Sequence, residues 1–500
     1  MHDPSILRTL CTTLPTLLLA ACTVGPNYQI PASPTELPAQ FMREVPVQQR
    51  GGIPIDADVD FWRGFQDPRL TALVEESLTS NQDLVGALAR YDSANALLRE
   101  SDFDRLPTIT ANAQTSRSRN AVDEASGQPR TVQRIGGTIQ ASWELDFVGR
   151  VRRNIEAYRA DAAASADDLA LLQIAIASEV AVTYVELRGL QERLRFAREN
   201  QETQQSTLML IKGRLAVGSS TNFDFARTRA QLESTVSRVP ALEVQIALHQ
   251  HRLAVLTGRA PQALITELDE PALVLALPPE IASGTPAALL RRRPDVRAAE
   301  NRLHAATARV GVATADLFPR VSLGGLVGFS ATHSSGLLRS TSETNSVLLG
   351  IDWSFLDVGR VRARIVASEA NAGVALADYQ QAVLRALENT ENALVQYNRT
   401  RIEDAHLTEA ARESDIALQL ARTRMEVGDI DLFEVLDTQR TQLIAQDARA
   451  DSRMRSLRAA VVLYQTLAGS WQQRPTSTAS TTEPVAAVNE LVNNTNPALN

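Results

Sequence analysis

The sequence predicts a mainly helical α+β chain in which one structural unit, two β-strands followed by a long antiparallel helical hairpin, is used twice. Three observations carry this: an internal two-fold repeat of motifs, two long proline-free helical runs, and short alternating segments ahead of each run.

The repeat shows first in Trp143-Glu144-Leu145-Asp146-Phe147-Val148-Gly149-Arg150-Val151-Arg152, answered by Trp353-Ser354-Phe355-Leu356-Asp357-Val358-Gly359-Arg360-Val361-Arg362. Arg214-Leu215-Ala216-Val217-Gly218 is answered by Arg424-Met425-Glu426-Val427-Gly428, Leu106-Pro107 by Phe318-Pro319, and Leu256-Thr257-Gly258 by Leu467-Ala468-Gly469. These landmarks place the first repeat at residues 65–258 and the second at 285–469, joined by a linker at 259–284. Residues 22–64 form a Pro-rich extended lead, read as a tether, and residues 470–500 a Ser/Thr/Asn/Pro tail too polar to build a core, read as disordered.

Inside each repeat the pattern first has period two. Residues 107–115 set Ile109, Ala111 and Ala113 against Thr110, Asn112 and Gln114, and residues 135–146 set Ile135, Ile139, Ala141, Trp143 and Leu145 against Thr138, Gln140, Ser142 and Glu144. In the second repeat Val321, Leu323, Val327 and Phe329 form one face of residues 319–330. Val347, Leu349, Ile351, Trp353 and Phe355 form one face of residues 346–356. Four strands cannot close a barrel, and an open edge in lipid leaves backbone groups unpaired at a cost of several kcal/mol each. Membrane-spanning strands would therefore have to be pooled by several chains, with Trp143 and Trp353 standing where interface aromatics are found. Alternation alone suits a half-buried soluble sheet equally well.

The runs from Arg150 to Val217 and from Arg360 to Val427 contain no proline, and at 1.5 Å per residue each would be on the order of 100 Å long. Val180, Leu187 and Leu194, with Ile176, Leu190 and Ala197 between them, recur at coiled-coil spacing. Gly218 and Gly428 end the runs and turn the chain back on itself. The helical segment ahead of each strand pair is broken, at Asn81 in the first repeat and at Arg293-Pro294 in the second. The arginine run Arg291 to Arg293 is read as a solvated helix approach.

At the amino end, Arg8, the apolar stretch Leu10 to Leu19 and the small pair Ala20-Ala21 predict a signal peptide over residues 1–21. Leu19-Ala20-Ala21-Cys22 also reads as a lipobox with Cys22 acylated after cleavage; the other reading is an ordinary signal with a chance cysteine. Cys11 leaves with the signal and Cys22 carries lipid, so no thiol remains for a disulfide or a metal site. Thr23 stands where, by resemblance to bacterial lipoproteins, an Asp would favour the inner membrane, so outer-membrane delivery is expected.

Net charge is −8 with both signs interspersed, which leaves no nucleic-acid footprint. GxSxG, Walker and paired CxxC motifs are missing, Lys212 is the only lysine, and His249 and His251 stand two apart on different helix faces. The expectation is a chain that is not an enzyme and carries no cofactor or metal.

Cys22-Thr23-Val24-Gly25-Pro26-Asn27-Tyr28, Arg292-Arg293-Pro294-Asp295-Val296 and Ala315-Asp316-Leu317-Phe318-Pro319 complete the pattern with the doubled motifs. Over nearly the whole mature chain the sequence resembles the TolC-like outer-membrane efflux proteins, specifically the lipoprotein subgroup serving resistance-nodulation-division (RND) pumps. The resemblance implies a homotrimer whose four strands per chain build a 12-stranded outer-membrane β-barrel. The hairpins would build a periplasmic tunnel with an equatorial belt around it. The chain would then be a lipid-anchored, passive exit duct for drugs and other toxic small molecules. An inner-membrane RND-type transporter would drive it through a periplasmic adaptor (membrane fusion) protein.

The same resemblance places the closed periplasmic mouth just after the second hairpin turn, here Gly428 to Asp437. Phe433 and Asp437, four apart, share a helix face, and Glu434 stands three residues from Asp437. Three-fold symmetry would turn them into an apolar ring beside an acidic ring, able to seal and to repel. Asp224 is the first-repeat counterpart of Glu434 and is expected in polar contacts that hold the hairpins together. Ile430 stands where some relatives carry an arginine, which removes the donor of one inter-helix salt bridge. Solvated side chains on an ordinary hairpin tip are the plainer reading of all four acids and aromatics. A periplasmic coiled-coil adaptor or scaffold lipoprotein would explain the hairpins but not the four strands, and a type I secretion duct would share the architecture.

Overall fold

The computed structural model describes residues 23–32, 36–42, 61–119, 131–269, 275, 281 and 284–467. The expected signal segment, the expected acylation site Cys22 and the tail at 470–500 lie outside the described residues.

Strands β1 (Thr108–Arg119), β2 (Thr131–Leu145), β3 (Arg320–Ala331) and β4 (Glu343–Asp352) form one antiparallel sheet in the order 1-2-3-4. Register carries the sequence alternation across the sheet. Ile109 lies opposite Ala141, Ala141 opposite Gly325 and Gly325 opposite Val347, while Trp143, Leu323 and Leu349 form a second row and Leu145, Val321 and Ile351 a third. Partners across a ladder point the same way, so these residues share one face. Asn112, Thr138, Gly328 and Thr344 align on the other. The apolar face stands bare: Ile109 is 70% and Val347 84% exposed. With β1 and β4 also left as unpaired edges, a single chain is an unfinished sheet.

The strands reach farther into the connecting loops than the alternation indicated, to Arg119 and back to Thr131. β4, by contrast, ends at Asp352. Trp353 and Phe355 therefore lie beyond the strand, Phe355 in a short 3-10 turn at Phe355–Asp357 that redirects the chain into a helix starting at Val358.

The helices are α1 (Pro68–Ser80), α2 (Gln82–Phe103), α3 (Arg150–Ala216), α4 (Asn222–Val236), α5 (Arg238–Leu256), α6 (Ile265–Leu268), α7 (Pro286–Arg292), α8 (Pro294–Ala315), α9 (Val358–Glu426) and α10 (Leu432–Leu467). α3 and α9, at 67 and 69 residues, are each on the order of 100 Å long. The chain divides into two compact units: residues 1–39, 82–171 and 286–389, and residues 40–81, 172–285 and 390–500.

The first unit holds the sheet. Its helical part packs Val296, Leu303, Tyr379, Val383 and Ala386 into a core that Tyr28 joins from the lead. α3 and α8 are matched by ion pairs one heptad apart, Asp161 with Arg309 and Asp168 with Arg302, and by the buried carboxylate of Asp167 with the half-exposed Arg297 at 2.8 Å. Arg293, expected to be solvated, is buried instead. Its guanidinium grips Asp295 through two bonds, 2.9 and 2.6 Å, which neutralises it at the start of α8.

Residues 23–28 are likewise no free tether. Val24 N–H donates to Val148 O at 3.0 Å, and Arg153 donates to Val24 O at 3.3 Å and to Asn27 Oδ1 at 2.5 Å. Tyr28 stacks on His304, with ring centroids 4.4 Å apart, and its hydroxyl donates to Glu300 at 3.2 Å. Gly25 sits at φ +84°, where a Cβ would stand 2.5 Å from Gly311 Cα, so only glycine passes there.

In the second unit Asp67 Oδ1 caps α1 by accepting from Arg69 N and Leu70 N at 2.7 and 3.0 Å, while Tyr184 donates to its Oδ2 at 2.9 Å. Val180, Leu187 and Leu190 of the coiled-coil stripe are buried. The return helix of the first repeat is broken at Ser237, unlike α10. Pro240 has no N–H to give the Val236 carbonyl, and its ring crowds that position.

His249 shares a hydrogen bond with Glu186, 3.1 Å, which pushes the imidazole pKa up and holds the carboxyl below its usual range. The raised histidine stabilises below about pH 6.5 and loses this as pH rises through its folded value. The lowered glutamate stabilises above about pH 4.5 and loses this as pH falls through its own. His249→Gln should therefore cost about 1 kcal/mol near pH 5.5 and close to nothing near pH 9, read from thermal unfolding of the detergent-solubilised protein.

Candidate functional site

The two hairpin tips belong to the second unit and are built from the same local rules with different chemistry. α3 ends in a Schellman turn: Gly218 at φ +75° donates to Leu215 O at 3.1 Å and Ser219 to Arg214 O at 2.9 Å. α9 ends alike, with Gly428 at φ +79°, Gly428 to Met425 O at 3.1 Å and Asp429 to Arg424 O at 2.9 Å. Lys212 stands exposed on the last turns of α3.

Beyond the turns the tips diverge. α4 opens with a capping box in which Asp224 N donates to Thr221 Oγ1 at 3.2 Å and the Asp224 carboxylate accepts from Thr221 N at 2.8 Å and from Ser220 Oγ at 3.0 Å. The Thr221 backbone N–H, followed by the neighbouring hydroxyls, holds that carboxyl below the usual carboxylate range. Asp224 is thus spent on its own helix start, whereas its reading from sequence put it in contacts between hairpins. α10 opens on Asp431, whose Oδ1 accepts from Phe433 N at 2.9 Å and Glu434 N at 3.1 Å. Ile430 and Val435 flank that cap as a hydrophobic staple, packed with Leu418, Ala421 and Met425. An apolar residue here joins a small core where an arginine would have to leave it.

Phe433 and Asp437 lie four apart on α10, as predicted for one helix face, but their surroundings differ. Phe433 is partly covered by the Arg227 guanidinium, 5.1 Å from the ring centroid, so a cation from the first hairpin lies over the aromatic of the second. Asp437 and Glu434 are exposed. Arg227 was missed from sequence because the pair spans two repeats, and the cap at Asp431 was missed as well, although Asp431-Leu432-Phe433-Glu434 carries its signal.

In the first unit, the two interface candidates share one contact. Trp143 Nε1 donates to Arg105 O and Trp353 Nε1 to Leu317 O, each at 3.0 Å, tying each indole to the carbonyl just before its repeat's first strand. Trp143 lies in the apolar row of the sheet, and Trp353 lies just past the end of β4. Among the described residues, no group of acidic, histidine or cysteine side chains has the geometry of a metal site.

A family model described as "Outer membrane efflux protein" matches twice, over residues 73–259 and 285–469. The pyoverdine export outer membrane protein OpmQ of Pseudomonas putida is 34% identical over 83% of this chain and 89% of its own length. Outer membrane protein OprJ of Pseudomonas aeruginosa is 31% identical over 91% of this chain and 95% of its own. Among solved structures, the outer-membrane channel OprN superposes with a TM-score of 0.81 at 37% identity, over 90% of this chain and all of that one.

Proposed function

The chain belongs to the outer membrane efflux protein family, and from there we propose a trimeric duct anchored by lipid on Cys22 and closed at its periplasmic mouth by Phe433, Glu434 and Asp437. Its role is that of the outer-membrane channel component of a tripartite efflux pump. In this reading residues 1–21 are removed on export, and Trp143 and Trp353 mark the periplasmic boundary of the bilayer. Asp224 supports the mouth indirectly, by fixing the start of α4.

One observation carries the assembly: a four-stranded sheet with a bare apolar face and two unpaired edges. Three copies pool twelve strands, which removes every edge, gives the apolar face to lipid and turns the polar face toward the lumen. The duct performs no chemistry of its own. Energy reaches it from an inner-membrane RND-type transporter through a periplasmic adaptor, and the relative named for pyoverdine export supports a small-molecule cargo.

Native mass spectrometry of the detergent-extracted protein tests this. A trimer whose subunits each carry acyl mass on Cys22 is expected. A water-soluble monomer would defeat the barrel, and a trimer with an unmodified amino terminus would defeat the anchor alone.

A further inference from the structure

We propose that each chain carries one binding site for a phosphoethanolamine lipid headgroup at the periplasmic rim of the sheet, between the end of α2 and the β2–α3 junction. The inference rests on the outer-membrane reading above and names a ligand that reading does not assign.

A cavity of about 420 Å³ opens there; its accessible lining is almost entirely apolar, with Trp143 and Val151 in it, and Asp104, Arg105, Asp146 and Arg152 border it. Above it the surface is greasy: Phe103 is 69% exposed and Leu106 56%, next to Ile109 of the bare sheet face. An interfacial indole with exposed apolar groups on one side and charges on the other marks the depth at which lipid tails give way to headgroups.

Which charges remain available decides the ligand. Arg152 is engaged by Asp146 at 3.1 Å, and Glu144 by Arg150 at 2.7 Å, so these pairs cancel internally. Asp104 forms no ion pair among the described residues, and Arg105 is held only loosely, 3.6 Å from Asp102. The rim of the cavity therefore offers one uncommitted carboxylate beside one loosely held guanidinium, both exposed, above an apolar floor. That is the complement of a headgroup with one ammonium and one phosphate, and it disfavours a purely anionic headgroup.

The second repeat supplies an internal comparison. Leu317 stands where the first repeat has Arg105, and the Asp316 carboxylate is taken by Arg320 at 2.5 Å and Arg364 at 2.9 Å. The counterpart of the Asp104–Arg105 pair is thus missing from the second repeat, so the site occurs once per chain.

The test uses the intact trimer, delipidated in mild detergent and titrated with palmitoyl-oleoyl phosphatidylethanolamine or phosphatidylglycerol in native mass spectrometry. Three tightly retained phosphatidylethanolamine molecules per trimer are expected, with phosphatidylglycerol weaker. Asp104→Asn combined with Arg105→Gln should lower phosphatidylethanolamine affinity at least about tenfold while the trimer mass is kept. No retained lipid, equal retention by the double variant, six molecules per trimer, or equal retention of phosphatidylglycerol would each overturn the proposal. Loss of the trimer in the wild type would instead count against the assembly, and the same spectrum separates the two failures.

Discussion

Glu434→Ala combined with Asp437→Ala should raise the conductance of the duct several-fold in planar bilayers and turn a cation-preferring channel toward anions. Both carboxylates are exposed on the first turns of α10, where trimer symmetry would set three copies of each around the mouth. Like charges held close oppose one another and favour cations in the passage. The reversal follows from Arg227, which lies over Phe433 and stays in place when the acids are gone. High salt should shrink the difference, since exposed charges are screened over about 8 Å at physiological ionic strength. Equal conductance and selectivity in the two proteins would return these residues to the status of ordinary tip side chains.

Gly25→Val should release the amino-terminal segment from the wall of the first unit. The new Cβ would stand 2.5 Å from Gly311 Cα in a backbone conformation, φ +84°, that valine strongly avoids. Strain and clash together cost roughly 3 kcal/mol or more, a cost that falls on the few bonds made by Val24, Asn27 and Tyr28 and offsets a large part of them. Hydrogen exchange should show protection lost over residues 23–28, and protease should cut there in the variant first. Asn27→Ala, which deletes only one bond to Arg153, should keep most of the protection. A Gly25→Val protein with wild-type exchange in this segment would show that the close approach to Gly311 is not required.

The long helices and the four strands were legible because each rests on a pattern the chain writes twice. Period two across Ile135 to Leu145 and the Gly218 and Gly428 stops need no tertiary information. The strand ends did not follow, because polar residues such as Arg117 and Arg134 pair in the ladder as readily as the apolar ones between them. The break at Ser237 was available from Pro240 but hidden by the symmetry with an unbroken α10. At the hairpin tips, the caps carry a signal in spacing alone that went unused. The Arg227–Phe433 contact carries none, because it joins residues that only the folded hairpins bring together. Arg293 and the lead were misjudged for a related reason: their partners, Asp295 and the Gly311–Arg153 surface, decide between solvation and burial.

The exposed Lys212 gives the molecule a practical property. It is the one lysine of the chain, and it stands on the last turns of α3 beside a hairpin tip. A reagent that acylates primary amines would meet a single side-chain target per subunit, and in the trimer proposed above three dyes would sit around the proposed periplasmic opening and nowhere else on the side chains. Energy transfer or self-quenching among them would then report the diameter of that opening in real time, in the unaltered protein and without an introduced cysteine.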